Sequence, residues 1–77
     1  MRRDEWLADF CERLGLQAPS KEEVVALLDL AATAAHSSER TAAPLACWVA
    51  GRSGRPLAEL GAIAKEVAPE PAAGERP

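Results

Sequence analysis

The stretch Ala34-Ala35-His36-Ser37-Ser38-Glu39-Arg40-Thr41-Ala42-Ala43-Pro44-Leu45-Ala46-Cys47-Trp48-Val49-Ala50-Gly51 decides how the chain is read. It holds the only histidine of the 77 residues, one of two tryptophans, one of two cysteines and the most continuously apolar run. One helix ends near His36, a polar corner follows from Ser37 to Ala42, and another helix opens at Pro44. Proline suits a first helical turn, where a missing amide costs nothing, and Thr41 is the natural cap. From Leu45 to Ala50 this helix shows no polar face before Arg52. A helix apolar all round belongs at the centre of a fold. Ala43, Cys47 and Gly51 line up on one side as a seam of small side chains.

Working back from this stretch, Ala31-Ala32-Thr33-Ala34-Ala35 offers a matching run of small residues. The two helices are therefore expected to pack as a close antiparallel pair. The earlier one spans about Lys21 to His36 and starts with a capping box. In Ser20-Lys21-Glu22-Glu23 the Ser20 hydroxyl takes the Glu23 amide while the Glu23 carboxylate reaches back. Val24, Leu27, Leu28, Ala31 and Ala35 form its inner stripe at 100° per residue. Before it, Trp6, Leu7, Phe10, Cys11 and Leu14 fall at helical spacing over Asp4 to Leu14, and Gly15 is placed as the C-cap.

Working forward, Gly54 ends the central helix and Pro56 opens a fourth, in which Leu57, Leu60, Ala64 and Val67 share a face. Gly61 weakens this shorter helix by roughly 1 kcal/mol relative to alanine. Residues 69–77 carry three prolines and no periodicity and read as a disordered tail. No segment alternates as a strand would. The expectation is an all-α domain over residues 1–68. It is a compact bundle of three main helices plus a shorter fourth, with the third helix central.

The hydrophobic fraction of 48% overstates the core, because 17 of those residues are alanine. So few large apolar side chains leave little room for a buried substrate cavity, and they favour a partner surface or self-association as a homo-oligomer. A net charge of -3 speaks against nucleic acid, whose binders carry a basic stripe. Acidic residues crowd the first half, while Arg40, Arg52 and Arg55 turn the later part slightly positive. Met1-Arg2-Arg3 leads into Asp4 and Glu5 rather than an apolar run, and no 18-residue apolar span follows. The chain thus reads as cytoplasmic, without membrane contact, and its two separated cysteines fit a reducing compartment.

Candidate chemistry is sparse. No ligand pair shows the close spacing of zinc sites, so neither a metal nor another cofactor is expected. Cys11 and Cys47 fall on apolar helix faces, where a reactive thiolate is disfavoured. Catalysis has no supporting residues, and the expectation is a protein that is not an enzyme. His36, Arg40 and Thr41 bracket the corner that points at the start of the third helix. An anion or nucleotide phosphate can rest at such an N-terminus, and the same residues can equally serve as helix caps. Trp48 joins Trp6 and Phe10 in an aromatic core in the simplest reading. Left exposed, Trp48 becomes a contact anchor, with Arg52 and Arg55 as its rim.

Several segments occur together in order: Asp4-Glu5-Trp6, Leu14-Gly15-Leu16, Leu27-Leu28-Asp29-Leu30-Ala31, Ala34-Ala35-His36, Glu39-Arg40, Ala42-Ala43-Pro44-Leu45 and Gly51. In this the chain resembles, over residues 4–68, a family of small bacterial helical domains of unknown function. Its members occur alone or attached to the C-terminal end of molybdenum cofactor guanylyltransferases. Thr41 stands where the family pattern tends to have proline, and Arg52 and Ser53 stand where small apolar residues are common. The resemblance implies a neighbourhood, molybdenum cofactor biosynthesis, and a guanylyltransferase of that pathway as partner. It implies no reaction. The functional expectation is a non-catalytic accessory or protein-interaction domain, with anion binding at His36, Arg40 and Thr41 as the alternative.

Overall fold

The computed structural model describes residues 1–67. The expected tail at residues 69–77 lies outside the described residues. The described chain folds into four helices with no strand: α1 Arg3–Leu14, α2 Lys21–Ser37, α3 Ala42–Ser53 and α4 Leu57–Val67.

Local chemistry sets each boundary. At the start of α1 the Arg2 amide donates to Glu5 Oε1 at 3.0 Å. Gly15 ends that helix in the left-handed region, with φ 73°. Its amide donates to the Glu12 carbonyl and that of Leu16 to the Cys11 carbonyl, so carbonyls left open by the last turn are satisfied. The capping box of α2 forms as read. Glu23 N–H donates to Ser20 Oγ at 3.1 Å, and Ser20 N–H to Glu23 Oε1 at 2.7 Å.

The end of α3 reaches Ser53, two residues beyond Gly51. The Ser53 hydroxyl donates to the Ala50 carbonyl at 2.7 Å and accepts from the Arg55 amide at 3.1 Å. Polar residues at this end thus serve as its cap, and Gly54 turns the chain at φ 72°. The Pro56 carbonyl then accepts from Glu59 and Leu60, which starts α4.

The hub of the packing is α2, which packs against both α3 and α4. The expected central position of α3 is met on one side only. Ala43, Ala46 and Cys47 are half-buried and Ala50 is buried, while Leu45, Trp48 and Val49 are exposed. The physical reason lies in α2. Leu30, at 5% exposure, is the most buried large side chain. The half-buried Leu27, Ala31 and Ala34 flank it at helical spacing. This face has room for two neighbours, and α3 and α4 both settle on it.

Two residues of the expected seams lie elsewhere. Leu28 is exposed, because the covered face of α2 is centred on Leu30. Gly51 is also exposed, and a Cβ placed there would meet nothing within 4 Å. The covered residues of α3 include Ala43, Ala46, Cys47 and Ala50.

The first helix stands apart. None of α2, α3 and α4 packs extensively on α1, and on α1 only Leu7 and Cys11 are half-covered. Trp6 and Phe10 stack on each other, with ring centroids 4.9 Å apart, and both remain exposed. The expected compactness is accordingly not reached. The described residues measure 48 × 27 × 18 Å with a radius of gyration of 14.4 Å, against roughly 11 Å for a compact domain of this length.

Candidate functional site

Three surface features come from this architecture: a polar corner, an aromatic patch and an apolar groove.

The corner between α2 and α3 places His36 in the last turn of α2 and Arg40 and Thr41 in the connection, all three exposed. Among the described residues no hydrogen bond joins their side chains. Thr41 occupies the N-cap position but has helical backbone angles, φ -69° and ψ -14°, and its hydroxyl makes no cap bond. The chain has already turned before Thr41. The Ala42 amide donates to the Glu39 carbonyl at 2.9 Å and the Ala43 amide to the Arg40 carbonyl at 3.1 Å. Pro44 has no amide hydrogen to offer. The first three residues of α3 therefore present no free N–H, which weakens this helix start as an anion site.

The patch lies on the outer face of α3. Trp48 is 63% exposed, and the Arg52 guanidinium carbon sits 4.8 Å from the ring centroid. This spacing of four residues stacks a cation on the indole face, an attraction worth about 0.5–1 kcal/mol at an exposed site. The aromatic core of Trp48 with Trp6 and Phe10 does not form. Trp6 and Phe10 pair on α1, and Trp48 is left to solvent with Arg52 over it. Arg55, the third residue of the expected rim, points its guanidinium at Glu59 Oε1, 2.9 Å away. It is tied to α4 rather than to the tryptophan.

The groove was not anticipated. It runs between the second half of α2, α3 and α4, encloses about 490 Å³, and is lined mainly by apolar side chains such as Leu30, Leu45, Val49, Leu60, Ile63 and Val67. Its signal in the sequence was the apolar stripe of α4 together with Leu45 and Val49. Sequence alone places Leu45 and Val49 in a central helix and gives Leu57, Leu60, Ala64 and Val67 one shared face. Two helices, α3 and α4, settle on one hub and leave a trough between them, because they do not pair closely with each other.

A second hollow of about 470 Å³ lies at the other end of α2, where Arg3, Asp4 and Leu7 of α1 face Pro19, Val24 and Val25. Among the described residues no group of three or more His, Cys, Asp or Glu side chains is placed to hold a metal ion. Cys11 and Cys47 are both free thiols, and no helix of the described residues is long and apolar enough to cross a membrane.

A family model described as a domain of unknown function (DUF6457) matches residues 1–73, and the chain belongs to that family. No curated protein and no solved structure matches it.

Proposed function

We propose that this member of the family is a non-catalytic interaction domain. It works in the cytoplasm and docks a partner protein through Trp48 and Arg52, with Arg55 at the edge. The observation that carries this reading is the exposed indole of Trp48 under the Arg52 guanidinium, 4.8 Å away. Tryptophan and arginine dominate the energetic centres of protein interfaces, and a stacked pair loses little further freedom on binding. The partner proposed is a molybdenum cofactor guanylyltransferase. That identity rests on the family resemblance, and the surface rests on the geometry.

Isothermal titration of the purified chain against such a guanylyltransferase tests both. Saturable one-to-one binding that Trp48→Ala abolishes is expected. Binding unaffected by that substitution would remove the surface, and no binding would remove the partner.

A further inference from the structure

The structure carries two apolar features that no other described residue covers. One is the groove at the far half of α2. The other is the face of α1 formed by Trp6, Phe10 and Leu14, all exposed, which recur every fourth residue and so lie on one side of the helix. We infer that two copies of this chain form a symmetric dimer in which α1 of each copy fills the groove of the other.

Three observations select this occupant. The first is position. Within one chain α1 faces residues 18–25, whereas the groove takes its α2 lining from Leu30 to Ser38. The two unfilled features thus lie toward opposite ends of α2, where a twofold exchange can reach what a single chain leaves open.

The second is charge. Between Arg3 and Leu14, Asp4, Glu5, Asp9 and Glu12 stand against Arg3 and Arg13, four negative against two positive, which leaves -2. From Glu39 to Val67, across α3 and α4, Arg40, Arg52, Arg55 and Lys65 stand against Glu39, Glu59 and Glu66, four positive against three negative, which leaves +1. Opposite potentials of this kind steer association and fix orientation.

The third is area. A half-exposed side chain of this size offers roughly 100 Å², so Trp6, Phe10 and Leu14 give on the order of 300 Å². The exposed Leu45, Val49, Ile63 and Val67 of the groove give a similar amount by the same measure. Because each copy contributes both features, the total approaches the roughly 800 Å² per partner of a standard stable interface. The α1 helix of 12 residues is about 18 Å long, a length that presents all three stripe residues at once. The sequence after Val67, Ala-Pro-Glu-Pro-Ala-Ala-Gly-Glu-Arg-Pro, has no large apolar side chain with which to compete.

This dimer does not rest on the partner reading, because Trp48 and Arg52 do not line the groove. Light scattering on the full chain measures the mass. Isotope-filtered nuclear Overhauser spectra on a mixture of labelled and unlabelled chains locate the contact. The expected result is twice the chain mass, with cross-peaks between the Phe10 ring of one copy and the Val49 and Ile63 methyls of the other. Phe10→Asp and, separately, Val49→Asp are expected to return the monomer mass. Both positions are exposed, and circular dichroism checks that helix is retained. A monomer for the unsubstituted chain overturns the inference. So does a dimer whose intermolecular cross-peaks lie elsewhere, for instance between Trp48 rings, or one that survives both substitutions.

Discussion

Lys65 Nζ lies 3.0 Å from Asp29 Oδ2, an ion pair that spans 36 residues of sequence and ties α4 to α2. Both side chains are more than half exposed. Exposed pairs of this kind contribute about 0–1 kcal/mol and fade with salt. Lys65→Met is therefore expected to lower stability by about 0.5 kcal/mol at low ionic strength. Urea melts in dilute buffer and in molar salt check this. A large loss that persists in salt would mean that Lys65 positions α4 by packing rather than by charge.

Leu30 is the contrasting case. It is the large side chain that α3 and α4 both rely on, and Leu30→Ala is expected to cost about 2–5 kcal/mol, enough to unfold much of so small a domain. Leu28, two residues earlier on the exposed side, is expected to tolerate alanine within about 0.5 kcal/mol. Thermal melts of the two variants side by side measure the difference. Similar losses for both would contradict the placement of the covered face.

This pair also shows where the sequence was legible. Helix boundaries were readable because caps are local chemistry: Ser20 with Glu23, Gly15 and Gly54 each act within four residues of themselves. The face of α2 that is covered was less readable, since Leu27, Leu28 and Leu30 are equally apolar and only the tertiary arrangement chooses among them. The standing of α3 as central was inferred from its all-round apolarity. That pattern has two physical origins, burial on every side or exposure of one side to another molecule, and a single chain cannot tell them apart. The groove was illegible for the same reason. His36, Arg40 and Thr41 do fall at the corner between α2 and α3, but the turn that consumes the amides of Ala42 and Ala43 is a backbone event with no residue signature.

The glycines give a prediction with opposite signs. Gly51 lies inside α3 with open space around its Cα, so Gly51→Ala is expected to stabilise by about 0.5–1 kcal/mol. Gly15 sits at φ 73°, where a side chain is strained, and Gly15→Ala is expected to destabilise by about 1 kcal/mol. Chemical denaturation reads both. A destabilised Gly51→Ala would show that this face of α3 meets another molecule closely.

Arg52 acts on the proposed docking surface through Trp48. Replacing Arg52 with Lys keeps the charge but removes the flat guanidinium that stacks on the indole. Partner affinity is expected to fall by roughly tenfold, about 1.4 kcal/mol, with the melting temperature unchanged. Indole fluorescence during titration reports the same event, and a variant with unaltered affinity would leave Trp48 acting alone.

The arrangement of α3 and α4 around a single hub also bears on how the molecule comes together. The α2–α3 pair is joined by only Ser38 to Thr41, so its closure is a short-range event that proceeds quickly. Within a single copy the packing unites α2, α3 and α4 over residues 21–67, while no other helix packs extensively on α1. In a single copy, amides near Leu30 are therefore expected to exchange with solvent only on global unfolding and those of α1 through a local opening, which docking of α1 in a second copy would suppress. Until a second copy holds it, the clock for α1 runs independently of the clock for the fold.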